Sequence, residues 1–315
     1  MATAQFGRHT HAIMFHHFHD ENHPVGQGSI SAANFGDMID WLSERYHLLN
    51  ADEYFYKFKN NLLDSDDICL TFDDALLCQG AIAAPILKSR NIRAYFFVYS
   101  SPFSGTPDFL EIYRHFRNTQ FKSIDEFYNH FFRQAAALIG PQYDVALSKY
   151  DKNSYLAAFL FYTENDKWFR FLRDEILGKQ LYDEVMQLLM TERGFDPTGV
   201  MSKLWMNEQN LRDLQADGHT IGLHSYSHPT ALHNLDIESQ RNEYAKNFHH
   251  LSEVLGTPIK SMSHPCGNYN SDTLLVLNQM GIEIGFRSNN SVKTIRSNLE
   301  IPREDHANIL TAMRQ

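Results

Sequence analysis

Short apolar runs that alternate with helix-patterned segments constrain this chain more than any other feature. Ala12 to Phe15, Ile68 to Thr71, Arg93 to Val98, Thr220 to Leu223, Ile259 to Met262 and Ile282 to Phe286 read as strands. A last short strand is expected near Ile301. Between them, apolar residues recur at helical spacing. Phe35, Met38, Ile39 and Leu42 follow a Ser31 cap, and Leu76, Ile82, Ile86 and Leu87 follow the second strand. Glu208 to Ala216 and Asp272 to Met280 are helical, closed by Gly218 and Gly281. Ile237, Arg241, Tyr244, Phe248, Leu251 and Leu255 form one helical face that ends at Gly256. Repeated strand–helix units predict an α/β fold with a parallel sheet, and six or seven of them favour a barrel over an open sheet.

The rhythm pauses from about residue 101 to 201, where helical periodicity runs without clear strands. Ile124, Phe127, Tyr128 and Phe131 share one face; Trp168, Phe171, Leu172, Glu175 and Ile176 share another, on a helix expected to stop at Gly178. The expected organisation is one barrel domain over residues 1–315, interrupted by this helical insertion. Its aromatic faces read as packing. A lid, or a surface for homo-oligomer formation, is the functional alternative.

A formal charge of −10 with no offsetting basic block excludes a surface built for nucleic acid or an anionic membrane. No apolar run approaches bilayer-spanning length. The N-terminus lacks a basic region and a long apolar stretch of the secretory kind, so a cytoplasmic location is expected. Cys69, Cys78 and Cys266 form no CxxC pair and no even set, which argues against a disulfide framework.

The unusual polar clusters each follow a strand directly. Asp73-Asp74 ends the strand that begins at Ile68, His224 and His228 follow Leu223, His264-Pro265 follows Met262, and Arg303 to His306 follows Ile301. In a parallel barrel those positions gather on one rim, the rim where such folds carry their chemistry. Adjacent acids are costly to bury without a cation. One carboxylate with two histidines makes a three-ligand metal site with an open position, and the second carboxylate is left to act as a base. The ordinary structural reading of Asp73-Asp74 is a helix N-cap with an acid in the first turn. An i,i+4 histidine pair is, taken alone, more often surface than ligand.

Thr71-Phe72-Asp73-Asp74 with His224-Ser225-x-x-His228 resembles the first two motifs of the polysaccharide deacetylase family (NodB homology, carbohydrate esterase family 4). Pro265-x-Gly267 resembles the third motif, and Asp217 to His224 resembles the approach to the family's histidine pair. The resemblance covers about 200 residues in two blocks that flank the helical segment. It implies a distorted (β/α)7-type barrel. It also implies that Asp74, His224 and His228 bind a divalent metal, usually Zn2+, with Asp73 as general base. His306, in Ile301 to His306, is matched to the late histidine motif as general acid, with His16, His17, His19 and His264 as competitors. His16, His17, His264, Pro265 and Arg303 are the expected substrate-side residues.

Two departures stand out. Ala75 replaces the Gly that usually ends the first motif, and Ser263 stands where the third motif usually begins with the Arg that orients the base. Arg303 is the candidate replacement cation. The function expected is removal of an N-acetyl or N-formyl group from an amino sugar, in cytoplasmic synthesis of a surface polysaccharide of the O-antigen kind. The substrate partner is then an amino sugar or glycan. Opening of a cyclic amide or other small-molecule amide, or glycan binding without catalysis, are the alternatives.

Overall fold

The computed structural model describes residues 9–106, 109–156 and 162–314. The chain divides into two compact units, one of Met1–Asp108 with Met201–Gln315, the other of Phe109–Val200.

Among the described residues, the first unit holds eight strands: β1 (His11–Phe15), β2 (His47–Leu48), β3 (Asp67–Asp73), β4 (Tyr95–Val98), β5 (Thr220–Leu223), β6 (Ser261–Ser263), β7 (Ile284–Phe286) and β8 (Arg303–Asp305). Seven lie in the order β7-β6-β5-β4-β3-β1-β8, with β2 paired beside β3. Every pairing is parallel. Ile301, just ahead of β8, forms a parallel bridge to Phe286, and the Arg287 amide donates to the Ile301 carbonyl at 2.8 Å. The sheet thereby nearly closes into a seven-stranded (β/α) barrel.

Parallel strands covered on both faces read as continuous apolar runs, and β3 is buried at all seven positions. Strand alternation divides the side chains into two sets. Ala12, Cys69, Tyr95, Phe97, Ile284, Phe286 and Ile301 share one core cluster. Phe15 and Phe72 stack 5.2 Å apart and meet Phe35 of the helix Ala32–Ser43 edge-on. Ser31 caps that helix by accepting from the Asn34 amide. Thr71 and Asp73 share the parity of Cys69, and Arg303 is in register with Ala12 of β1. The same alternation therefore aims Asp73 and Arg303 toward each other.

The structure adds one helix, bears out one helix stop and corrects one helical face. Residues 47–59, which carry no strong pattern, form β2 and the helix Ala51–Lys59, with only Ala51 and Tyr54 of that helix buried. The helix that carries Trp168 and Phe171 stops at Gly178, as expected. Its φ of 61° closes a π-helical turn, Leu172–Leu177, and the helix Gly178–Glu192 starts at once because Tyr182, Val185, Met186 and Leu189 need burial. On the helix Ile237–Leu255 the buried set includes Gln240 and Asn247, whereas Arg241 and Phe248 are half-buried. Those two amides find hydrogen-bond partners inside, so burying them costs little.

The second unit is helical. Ile124–Ile139, Glu164–Phe171 and Gly178–Glu192 enclose Phe127, Phe131, Phe169 and Tyr182. The Tyr128 hydroxyl donates to the buried Asp166 carboxylate. Among the described residues, no helix is long and apolar enough to cross a membrane.

Candidate active site

Asp73 and Asp74 sit where β3 breaks into a left-handed turn, with φ of 80° at Asp74 and 53° at Ala75. Such angles are uncommon for residues with a side chain and cluster at functional sites. The turn brings into one pocket two carboxylates that a continuing strand would send to opposite faces.

Asp74, His224 and His228 each bring one ligand atom into a group spanning no more than 4.8 Å. His224 Nε2 lies 3.4 Å and His228 Nε2 3.6 Å from Asp74 Oδ1. The Ser263 carbonyl accepts a hydrogen bond from His224 Nδ1 at 2.9 Å, which assigns the ring proton to Nδ1 and leaves a lone pair on Nε2. Asp74 Oδ1 is buried and accepts no hydrogen bond. Lone pairs facing one another in a buried pocket need a positive charge between them, and the donor set of two imidazoles and one carboxylate suits a divalent ion such as Zn2+. The residues fit the metal. Burial alone would raise the Asp74 carboxyl, but His224, His228 and His16 together hold it far below the usual carboxylate range.

Asp73 has a different environment. Arg303 Nη1 and Nη2 donate to its two oxygens at 2.7 Å each, a bidentate pair in which Arg303 is fully buried. Ser263 Oγ donates to Asp73 Oδ2 at 3.2 Å and accepts from Arg303 Nη2 at 2.7 Å. The guanidinium also donates to Thr71 Oγ1 at 3.2 Å and to the Arg287 carbonyl at 2.5 Å. Burial would raise the Asp73 carboxyl, yet Arg303, with help from His224 and His16, keeps it below its ordinary value. Asp73 is thus an ionised, oriented carboxylate beside the triad, with Oδ2 3.9 Å from His224 Nε2.

A family model described as polysaccharide deacetylase matches residues 174–285. Among solved structures, the chain is similar to IcaB from Ammonifex degensii, at 16% identity and a TM-score of 0.56 over 98% of this chain and 97% of that one. It is similar to the Streptococcus pyogenes deacetylase PplD in complex with acetate, at 16% identity and a TM-score of 0.54 over 96% and 97%. It also resembles the BpsB deacetylase domain from Bordetella bronchiseptica, at 14% identity and a TM-score of 0.52 over 94% and 96%. The fold is that of the polysaccharide deacetylases. No curated protein matches the chain by sequence.

Within this polysaccharide deacetylase fold, the expected site residues separate into two groups. His16 follows β1 and is brought to the carboxylates, with Nε2 3.9 Å from both Asp73 Oδ2 and Asp74 Oδ2 and a side chain 28% exposed. His17 stacks beside it, ring centroids 6.2 Å apart. His306, expected as the general acid, is not brought there. Its Nε2 faces the Gly28 carbonyl at 2.8 Å, its Nδ1 faces the Met14 carbonyl at 3.3 Å, and it stacks on Phe15. Burial lowers its pKa, which favours the neutral ring. His264 is fully buried, donates from Nε2 to the Leu299 carbonyl at 2.9 Å and stacks on Tyr269 at 4.1 Å, so it offers nothing to a substrate. Burial pushes its pKa down to about 3. Pro265 is buried in the turn that follows. Arg303, expected on the substrate side, is enclosed and faces Asp73 instead.

Sequence reasoning passed over Gln79. Its buried amide donates to the His16 carbonyl at 2.9 Å and the Asp73 carbonyl at 2.5 Å, tying the end of β1 to the end of β3. It opens a π-helical turn, Gln79–Ala83, a form frequent at functional sites. A lone Gln carries no spacing signal.

Proposed function

We propose that this chain is a metal-dependent hydrolase that removes an N-acetyl or N-formyl group from an amino sugar of a glycan or glycan precursor. One observation carries the reading. A three-ligand metal set, Asp74, His224 and His228, lies beside a spare carboxylate, Asp73, that an arginine holds ionised and oriented. A purely structural metal site has no use for that second acid. The fold shared with proteins named as deacetylases, one of them holding acetate, supports the same reading.

Asp74 Oδ1, His224 Nε2 and His228 Nε2 would hold the ion. The metal, when bound, supplies Lewis acidity toward the amide carbonyl and lowers the pKa of water. Asp73 accepts the proton of the attacking water. Its oxygens stay aimed because Arg303 and Ser263 occupy their outer lone pairs. His16, partly exposed and 3.9 Å from both carboxylates, donates a proton to the departing amine. This role falls to His16 because both ring nitrogens of His306 face backbone carbonyls.

The test is acetate and formate release from N-acylated amino-sugar oligosaccharides by the zinc-loaded protein. Release by wild type that falls at least 1000-fold in Asp73→Asn supports the reading, on the scale of a lost general base. Release unchanged by that substitution refutes it.

A further inference from the structure

The two histidine ligands are carried by a loop, not a helix, and something must fix the distance between them. Ser225 and His228 both have left-handed φ, 64° and 53°. Each such residue costs about 1–2 kcal/mol when it carries a side chain, so the loop alone would relax. Inside the loop one bond opposes this, from the His228 amide to Ser225 Oγ at 3.1 Å.

The stronger restraint comes from the helix Ile237–Leu255, on a stripe that apolar patterning does not reveal. Asn247 Oδ1 accepts from the His224 amide at 3.0 Å, while its Nδ2 donates to the Val98 carbonyl at 2.9 Å and to Ser100 Oγ at 2.6 Å. One turn back, Glu243 Oε2 accepts from the Tyr226 amide at 3.1 Å and the Ser227 amide at 2.8 Å. Glu243 Oε1 accepts from Ser227 Oγ at 2.9 Å. One carboxylate therefore takes three donors from the residues midway between the ligands. Charge-assisted bonds of this kind are about twice as strong as neutral ones. All three donors are main-chain or hydroxyl groups of Tyr226 and Ser227, between the two ligands.

We propose that Glu243 is a positioning residue that sets the bite of His224 and His228 on a divalent cation. The proposal rests on the metal-binding reading above. Without Glu243 the Tyr226 and Ser227 amides lose their acceptor, the segment is held only on its other side by the Ser100 and Ser101 amides that donate to the Tyr226 carbonyl at 3.0 and 2.8 Å, and His228 Nε2 leaves its place 3.6 Å from Asp74 Oδ1.

The experiment measures Zn2+ affinity by competition with a chromophoric chelator, and the visible absorption of the Co2+-substituted protein. Wild type, Glu243→Ala, Glu243→Gln and the exposed same-helix control Glu238→Ala are compared. The expected result is Zn2+ affinity lowered about 10–100-fold in Glu243→Ala, with an altered Co2+ spectrum. Glu243→Gln, which keeps one acceptor oxygen, falls between, and Glu238→Ala matches wild type. A role confined to folding would lower the urea midpoint and leave both metal readouts unchanged, and that result overturns the proposal. If Glu243→Ala does not fold, Glu243→Gln decides, and wild-type affinity there overturns it equally. Absence of Zn2+ and Co2+ binding in wild type overturns the metal reading itself, which separates that failure from the failure of Glu243.

Discussion

Arg303 is where sequence and structure make the sharpest demand. The deacetylase motif would place an arginine at position 263, and this chain has Ser263 there and a fully buried Arg303 reaching Asp73 from β8. Arg303→Met keeps the side chain's bulk and removes the charge. It deletes two bonds of 2.7 Å to Asp73 and one of 2.7 Å to Ser263, leaving a buried carboxylate uncompensated. Breaking a buried pair in this way costs about 3–5 kcal/mol. For a chain of this length that lowers Tm by roughly 10 °C. Asp73 then protonates or swings away, and kcat/KM falls at least about 100-fold, the scale of general-base catalysis. Zn2+ content should not change, because Arg303 makes no bond to Asp74, His224 or His228. Arg303→Lys retains a point charge without the fork and should lie between. The double variant Ser263→Arg/Arg303→Ser returns the guanidinium to the position where the family motif carries it and should regain activity over Arg303→Met. Deacetylation, Tm and metal content are measured together. Arg303→Met within threefold of wild-type kcat/KM would refute the reasoning.

His16→Gln should lower kcat at least about 100-fold with Zn2+ retained, whereas His306→Gln should lower stability and leave kcat near wild type, read by steady-state kinetics and urea unfolding. Burial lowers the His219 pKa from 6.5 to about 4, and its Nδ1 accepts the Ala94 amide. As pH drops, the unfolded chain takes this proton first. Stability is therefore full above the unfolded value and is lost as pH falls from 6.5 toward 4, by about 2 kcal/mol between pH 7 and pH 5. His219→Gln should lack that share of the pH dependence in urea titrations. At Ala75, φ of 53° means that Ala75→Gly relieves about 1–2 kcal/mol of left-handed strain. It also loses a buried methyl worth about 0.8 kcal/mol and adds about 0.4–1 kcal/mol of unfolded-state entropy. The net change in urea unfolding should stay under about 1 kcal/mol.

How much could be read in advance follows from what each residue's pattern encodes. Buried parallel strands announce themselves as apolar runs, so β1, β3, β4 and β5 were legible, along with the acids and histidines at their ends. Asp74, His224 and His228 could be grouped because a barrel gathers strand ends on one rim, and their ligand atoms do lie together. The helix Ala51–Lys59 was not legible, since it buries only Ala51 and Tyr54 and leaves its charges in solvent. Glu243 and Asn247 were missed for the opposite reason. They sit on or beside the inward stripe of a helix whose periodicity shows only where apolar residues fall, and a buried amide or half-buried carboxylate with partners looks like a surface residue in sequence. The choice between His16 and His306 depends on which way two rings turn after neighbouring strands. His306 turns onto the carbonyls of Met14 and Gly28, and no spacing rule encodes that rotation.

The central claim is that a metal triad and a separate base act together. Metal content of protein purified without chelator, for wild type, His228→Ala and Asp73→Asn, tests it most directly. The account predicts one Zn2+ or similar divalent ion per chain in wild type and in Asp73→Asn, and loss of that ion in His228→Ala. Wild-type protein without metal, or His228→Ala retaining a full complement, would contradict it.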